Sequence, residues 1–176
     1  KHVKTVVSIV DRNGKEVIST EKSALTNVGE ITTVKFDISV SGVKLWSPDE
    51  PNMYAAVTKL YVGREQTDEY VTRFGFRYYV LDPDKGLFIN DKHYKIKGLC
   101  GHADCGLTGK AVPDNIHRYK VRLMKEMGAN GYRTSHYMQA EALMDALDEN
   151  GFIVMDETRW FESTDEGREQ LRALVR

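Results

Sequence analysis

The sequence has little cysteine, no excess of charge of either sign and no long apolar run. Only Cys100 and Cys105 occur in 176 residues, too few for a disulfide framework. Lys and Arg number 25 against 26 Asp and Glu, a net charge of −1, so nothing points to nucleic acid or an anionic membrane as partner. No apolar stretch approaches the roughly 18 residues that a membrane span needs. The glycines form neither a dinucleotide fingerprint nor a P-loop, which removes the usual sequence signal for nucleotide binding. There is no internal repeat or low-complexity tract. Lys1 is not a natural start and no signal peptide is visible; the two cysteines hint only weakly at a reducing compartment, so cytoplasmic and exported bacterial settings both stay open. With 41% hydrophobic and 29% charged residues, a buried core is feasible.

The first half reads as strands. Residues 3–10 are β-rich and end at Asp11-Arg12-Asn13-Gly14, a hairpin turn, with residues 16–21 returning. Residues 31–40 alternate with a period near two through Ile31, Val34, Phe36, Ile38 and Val40; residues 55–62 do the same, and residues 69–81 form one long β-prone run. Short strands between turns predict an all-β sandwich. The turn-rich Asp82-Pro83-Asp84-Lys85-Gly86 marks a boundary, giving domains 1–84 and 85–176.

Beyond it, a small hairpin around Asn90-Asp91-Lys92 precedes alternating strand and helix patterns. The first helix is expected over 114–127, with Asp114 as N-cap, Gly128 at its end and an apolar stripe of Ile116, Tyr119, Leu123, Met124 and Met127. The second is expected over 139–150, with Ala140, Leu143, Met144 and Leu147 on one face, and Gly151 ends it. Residues 152–155 are continuously apolar, as in a parallel strand covered on both faces. A third helix starts near Ser163, which has capping-box spacing to Glu166, and would turn Leu171, Leu174 and Val175 toward the sheet. This alternation predicts parallel strands joined by crossovers, whether in a barrel or an open sheet.

In such a sheet, chemistry gathers at the carboxyl ends of the strands. Cys100, His102 and Asp104 share one strand face at the first end, but alternating ligands on one short strand enclose an ion poorly, so no metal is expected. At the second end, Arg133 and His136 have opposite strand parity and meet in one pocket only if the strand ends or bulges between them. At the third, Asp156 and Glu157 directly follow an apolar strand, with Trp160 suited to stacking on a sugar ring. A surface arginine, a satisfied histidine and a core tryptophan beside a salt bridge are the bland readings of the same residues.

Taken together, Asn130-Gly131-Tyr132-Arg133-Thr134-Ser135-His136-Tyr137, then Leu143-Met144, Asp148, Gly151 and residues 152–155, resemble the long signature of family 2 glycoside hydrolases. Met138 stands where that family usually has proline, which bears on the following loop. Leu45-Trp46-Ser47-Pro48-Asp49-Glu50-Pro51-Asn52-Met53-Tyr54 resembles the family's sandwich-domain motif, and Phe74-Gly75-Phe76-Arg77 its exit strand. Phe88-Ile89-Asn90-Asp91-Lys92 and Lys97-Gly98 resemble the start of its barrel, and residues 98–106 the variant first strand of bacterial β-galactosidases.

The resemblance implies an immunoglobulin-like β-sandwich over 1–84, followed by the first part of a (β/α)8 barrel, about three of eight units of a fold that needs roughly 250 residues. It implies hydrolysis of β-galactosides with retention, with β-glucuronidase, β-mannosidase or a non-catalytic carbohydrate-binding role as alternatives. The acid/base and nucleophile glutamates are expected C-terminal to Arg176, so the chain alone is expected to be inactive. Arg133 would hold the nucleophile ionised. His136 and His102 would meet sugar hydroxyls or developing charge, and Asp104, Glu157 and Trp160 would line the pocket. Phe161 and Ser163 fall where the magnesium ligands of some family β-galactosidases would be, so neither metal nor cofactor is expected. An incomplete barrel leaves unpaired edges, from which self-association is expected.

Overall fold

The computed structural model describes residues 1–159 and 162–174, which divide into two compact units. One comprises Lys1–Trp46 and Asn52–Arg77; the other comprises Ser47–Pro51 and Tyr78–Arg176.

The first unit is β throughout. Strands β1 (His2–Asp11), β2 (Glu16–Leu25), β3 (Tyr54–Val62) and β4 (Glu65–Phe74) form an antiparallel sheet in the order β2-β1-β3-β4. The β1–β2 turn closes as its residues dictate. Asp11 Oδ1 accepts the amides of Asn13 and Lys15, at 2.8 and 3.0 Å, while Gly14 takes a φ of 76°. Cross-strand pairs reinforce the register: the hydroxyls of Ser8 and Ser19 lie 2.8 Å apart, and Lys59 pairs with Glu69 at 3.5 Å. The strand expected over 31–40 keeps its alternation from Val34 on, with Val34, Phe36, Ile38 and Val40 half-buried and their neighbours exposed, while Ile31 is exposed. It makes no regular ladder and runs as extended chain. Alternation reports which side chains face inward; the ladder needs a partner backbone in register, which the pattern does not encode.

The run expected over 69–81 is broken. β4 ends at Phe74, and the next strand, β5 (Tyr79–Asp82), belongs to the second unit. Trp46 forces the break. Its amide donates to the Phe76 carbonyl at 2.7 Å, and a Cβ on Gly75 would lie 2.6 Å from Trp46 Cβ. Trp46 itself is buried, with the Arg77 guanidinium over its ring at 4.6 Å.

In the second unit, β5, β6 (Gly86–Ile89) and β7 (Lys92–Tyr94) form a small antiparallel sheet. The β6–β7 turn holds Asn90 and Asp91 at φ of 50° and 64°, the left-handed pair of a tight hairpin. Because β5 pairs with β6, the Asp82–Gly86 turn lies inside this sheet, and the compact units part near Arg77/Tyr78 instead of at residue 84. The segment Ser47–Pro51 is held here by Asp49, which accepts from Lys92 Nζ and the Tyr94 hydroxyl at 2.7 and 2.8 Å, and by Lys125 Nζ, which donates to the Pro48 carbonyl.

The barrel portion follows: β8 (Gly98–Gly101), α1 (Asp114–Glu126), β9 (Gly131–Thr134), α2 (Glu141–Glu149), β10 (Ile153–Met155) and α3 (Asp165–Leu174). The three strands are parallel in the order β10-β9-β8, as the alternation predicts. Val121, Met124, Ala129, Tyr132, Leu143, Ala146, Leu147 and Phe152 make the core between sheet and helices.

Several details differ from the sequence reading. α1 buries His117, Val121 and Met124, while Ile116, Tyr119, Leu123 and Met127 are exposed. The buried side is rotated from the expected stripe and takes in His117, an inward position that hydropathy does not assign and where burial pushes the imidazole's ionisation down. Pro113, not Asp114, occupies its N-cap, and α2 starts at Glu141 behind Ala140. On α3, Thr164 Oγ1 accepts the Gly167 amide at 3.1 Å, so the cap sits one residue beyond Ser163. Leu171 is exposed instead of facing the sheet, and Val175 lies outside the described residues. Met155, expected to be covered, is exposed at the end of β10. Among the described residues, no helix is long and apolar enough to cross a membrane.

Candidate substrate pocket

The carboxyl ends of β8, β9 and β10 bring Cys100, Arg133, His136 and Glu157 together within the second unit. Register places Cys100 beside Arg133, and Arg133 beside Met155. β9 ends at Thr134, which lets the chain bring His136 round to the same side as Arg133 despite their opposite parity. The Ser135–His136 peptide is cis.

Glu157 is the centre of this group. It is 7% exposed, and each of its carboxylate oxygens is engaged. Arg133 Nε donates to Oε1, and His136 Nδ1 lies 3.1 Å from Oε2. Its amide donates to Thr134 Oγ1 and to Asp156 Oδ1, both at 3.0 Å. Thr134 Oγ1 in turn donates to Asp156 Oδ1 at 2.7 Å. Burial pushes the Glu157 carboxyl up, but hydrogen bonds from Arg133 and His136 and their charges outweigh it, so the group is held below the usual glutamate range. Arg133 is half-exposed and reaches toward Cys100 Sγ, 3.9 Å from Nη1; contacts with Cys100 and Glu157 push the guanidinium further into its charged form.

His102 stands edge-on to His136, with ring centres 5.5 Å apart, and lies 6.3 Å from the Tyr137 ring. The Tyr137 hydroxyl accepts the Ala103 amide at 3.4 Å, and Lys110 sits over its ring at 4.4 Å. The result is an open, polar surface with two exposed imidazoles beside the Arg133 guanidinium, backed by a buried anion. Such a surface offers hydrogen bonds to a polyhydroxylated ligand.

Of the residues singled out from the sequence, the structure gathers Arg133, His136, His102 and Glu157. Asp104 is exposed beyond β8, and among the described residues no hydrogen bond or ion pair joins it to the group. Trp160 lies outside the described residues. Sequence reasoning marked Asp156 beside Glu157 but missed Thr134, whose hydroxyl joins Asp156 in holding the Glu157 backbone; within the Asn130–Tyr137 run nothing set Thr134 apart. Among the described residues, no group of three or more His, Cys, Asp or Glu is placed to hold a metal ion.

A β domain followed by the opening strands of a parallel α/β barrel is the architecture of a class of multidomain glycosidases, and comparison with known proteins places the chain within it. Residues 1–77 match the model of glycosyl hydrolases family 2, and residues 82–165 match that family's TIM barrel domain. The chain belongs to glycosyl hydrolase family 2. It is 38% identical to a β-galactosidase of Bacteroides ovatus over 89% of this chain and 18% of that protein. It is 36% identical to a putative β-glucuronidase of Formosa agariphila, over 89% of this chain and 15% of that protein. A family 2 structure from Bacteroides cellulosilyticus superposes with a TM-score of 0.85 at 33% identity, covering 90% of this chain and 22% of that one. A β-glucuronidase from Bacteroides uniformis superposes at 0.86 with 30% identity, covering 96% and 21%. The chain therefore spans about a fifth of the length of the relatives it matches.

Proposed function

We propose that this chain supplies the β domain and first three barrel strands of a retaining β-glycoside hydrolase that removes terminal β-galactosyl groups. The observation that carries the reading is the cluster of Arg133, His136, His102 and Glu157 at the carboxyl ends of parallel strands, where barrel enzymes bind substrate. Retaining hydrolysis needs one protonated carboxyl to donate to the leaving oxygen and one free carboxylate to attack the anomeric carbon. Glu157 suits neither task. It is held ionised by Arg133, and its oxygens are committed to Arg133 and His136. The two reacting carboxylates in this reading lie outside residues 1–176. Arg133 contributes a fixed positive charge, and His136 and His102 contribute hydrogen bonds to sugar hydroxyls, with Asp104 as a further pocket residue; Trp160, proposed with it from the sequence, lies outside the described residues.

The resemblance to a putative β-glucuronidase at nearly the same identity supports a second reading, with a β-glucuronide as substrate. The same reading of a partial barrel supports self-association through the edges of β8 and β10 that are unpaired among the described residues.

Chromogenic β-galactoside, β-glucuronide and β-mannoside, offered to this chain and to a longer hydrolase containing it, test the proposal. The expected result is cleavage of the β-galactoside by the longer protein and none by the chain alone. Turnover by the chain alone would sink the placement of the reacting carboxylates. Preferential cleavage of the glucuronide would replace the sugar.

A further inference from the structure

The carboxylate of Glu157 touches the imidazole of His136 on one side and the guanidinium of Arg133 on the other, and this decides more than charge balance. We propose that Glu157 is a positioning residue that fixes the tautomer of His136, so that Nδ1 carries the proton and Nε2 presents a lone pair to a hydroxyl of the bound sugar. The assignment deepens the sugar-pocket reading above and rests on it for the identity of the ligand, but not for the tautomer itself.

Two neighbours compete for Nδ1: Glu157 Oε2 at 3.1 Å and Arg133 Nη2 at 3.4 Å. An unprotonated Nδ1 would accept from Arg133 and would then set its lone pair against a carboxylate oxygen at the shorter distance. A protonated Nδ1 donates to Oε2 and leaves Arg133 merely adjacent. The carboxylate is acceptor-only when ionised, and Arg133 bonded to Oε1 keeps it ionised. Its backbone amide is held by Thr134 Oγ1 and Asp156 Oδ1, and its side chain is buried against Arg133, which limits its movement. The ring nitrogen that bonds a carboxylate sets the state of the other nitrogen. Nε2 of the neutral ring is then an acceptor on the half-exposed side of the histidine. A hydroxyl donates to it; a ligand offering only an ether or fluorine there does not.

A charge-assisted hydrogen bond favours the Nδ1–H form by about tenfold or more. Histidine labelled with nitrogen-15 in the full chain, read by long-range proton–nitrogen correlation at about pH 8, above the ordinary imidazole range, reports the tautomer directly. The His136 signal is assigned by its loss in His136→Asn. The expected result is a predominantly Nδ1–H ring in the native chain, shifting toward Nε2–H in Glu157→Ala. An Nε2–H ring in the native chain overturns the proposal, whether or not the variant folds; an unchanged Nδ1–H ring in a folded Glu157→Ala chain also overturns it. The readout needs no turnover. Failure of the glycoside panel would therefore remove the sugar while leaving the tautomer in place, and a wrong tautomer in a working hydrolase would remove only this inference.

Discussion

Glu157 has a carboxyl whose ionised form is favoured in the native state, and its pH dependence follows from that direction. A carboxyl held below its ordinary value adds stability above the ordinary glutamate range and loses it as pH falls through the lowered native value. Thermal melts taken downward from neutral pH should show a falling midpoint in the acid region, with a shallower slope in Glu157→Gln. Equal slopes would mean that the contacts with Arg133 and His136 add nothing. Tyr132 makes the opposite case. Its side chain is fully buried, its hydroxyl has no hydrogen-bond partner among the described residues, and burial pushes its ionisation up to about 12. An unsatisfied buried hydroxyl is a cost. Tyr132→Phe should leave stability unchanged or raise it by about 1 kcal/mol, measured by urea denaturation; a loss above that size would show that the hydroxyl has a partner. The hydroxyl also occupies the space that a Cβ on Gly101 would need. Gly101→Ala should cost about 1–3 kcal/mol, and part of that should return in the double variant with Tyr132→Phe.

The elements are ended by specific residues more than by propensity. Gly128 and Gly151 take φ of 84° and 72° after α1 and α2, where a side chain would be strained. Gly151 has a second constraint, since a Cβ there would collide with the Pro48 carbonyl. Gly151→Ala therefore combines backbone strain with a steric clash against a segment anchored by Asp49, and should destabilise by about 2 kcal/mol or more. Gly128→Ala, with open space around it, should cost less; denaturation midpoints rank the two. The apolar side of α1 shows how an element can be correct while its facing is not. The period of Ile116, Tyr119, Leu123 and Met127 is helical, yet these side chains are exposed and His117, Val121 and Met124 are inside. Two adjacent stripes on one helix are both apolar enough to bury, and only the neighbouring strands and α2 choose between them.

At the scale of the molecule, three parallel strands leave β8 and β10 each with one unpaired edge among the described residues, and α1 presents an uncovered apolar stripe. Unpaired edges and apolar faces favour association. Light scattering of the chain at micromolar concentration should give a mass above that of a monomer, and a strictly monomeric mass would count against pairing through those edges.

The sequence alone determined the order of elements and the family. Strand alternation, turn residues, the helix-ending glycines and the run from Asn130 to Tyr137 are local patterns, each set by neighbours in the chain. It also marked Arg133, His136, His102 and Glu157 as candidates, because they stand at the carboxyl ends of expected parallel strands and within the family-like motifs. Tertiary structure decided what local pattern cannot carry. It left residues 31–40 extended without a ladder, because pairing depends on a partner in register. It broke the run 69–81 at Gly75, because Trp46 fills the space beside it. And it made Glu157 the centre of the candidate pocket, because only the adjacency of β9 and β10 brings Arg133, Thr134 and His136 around one carboxylate.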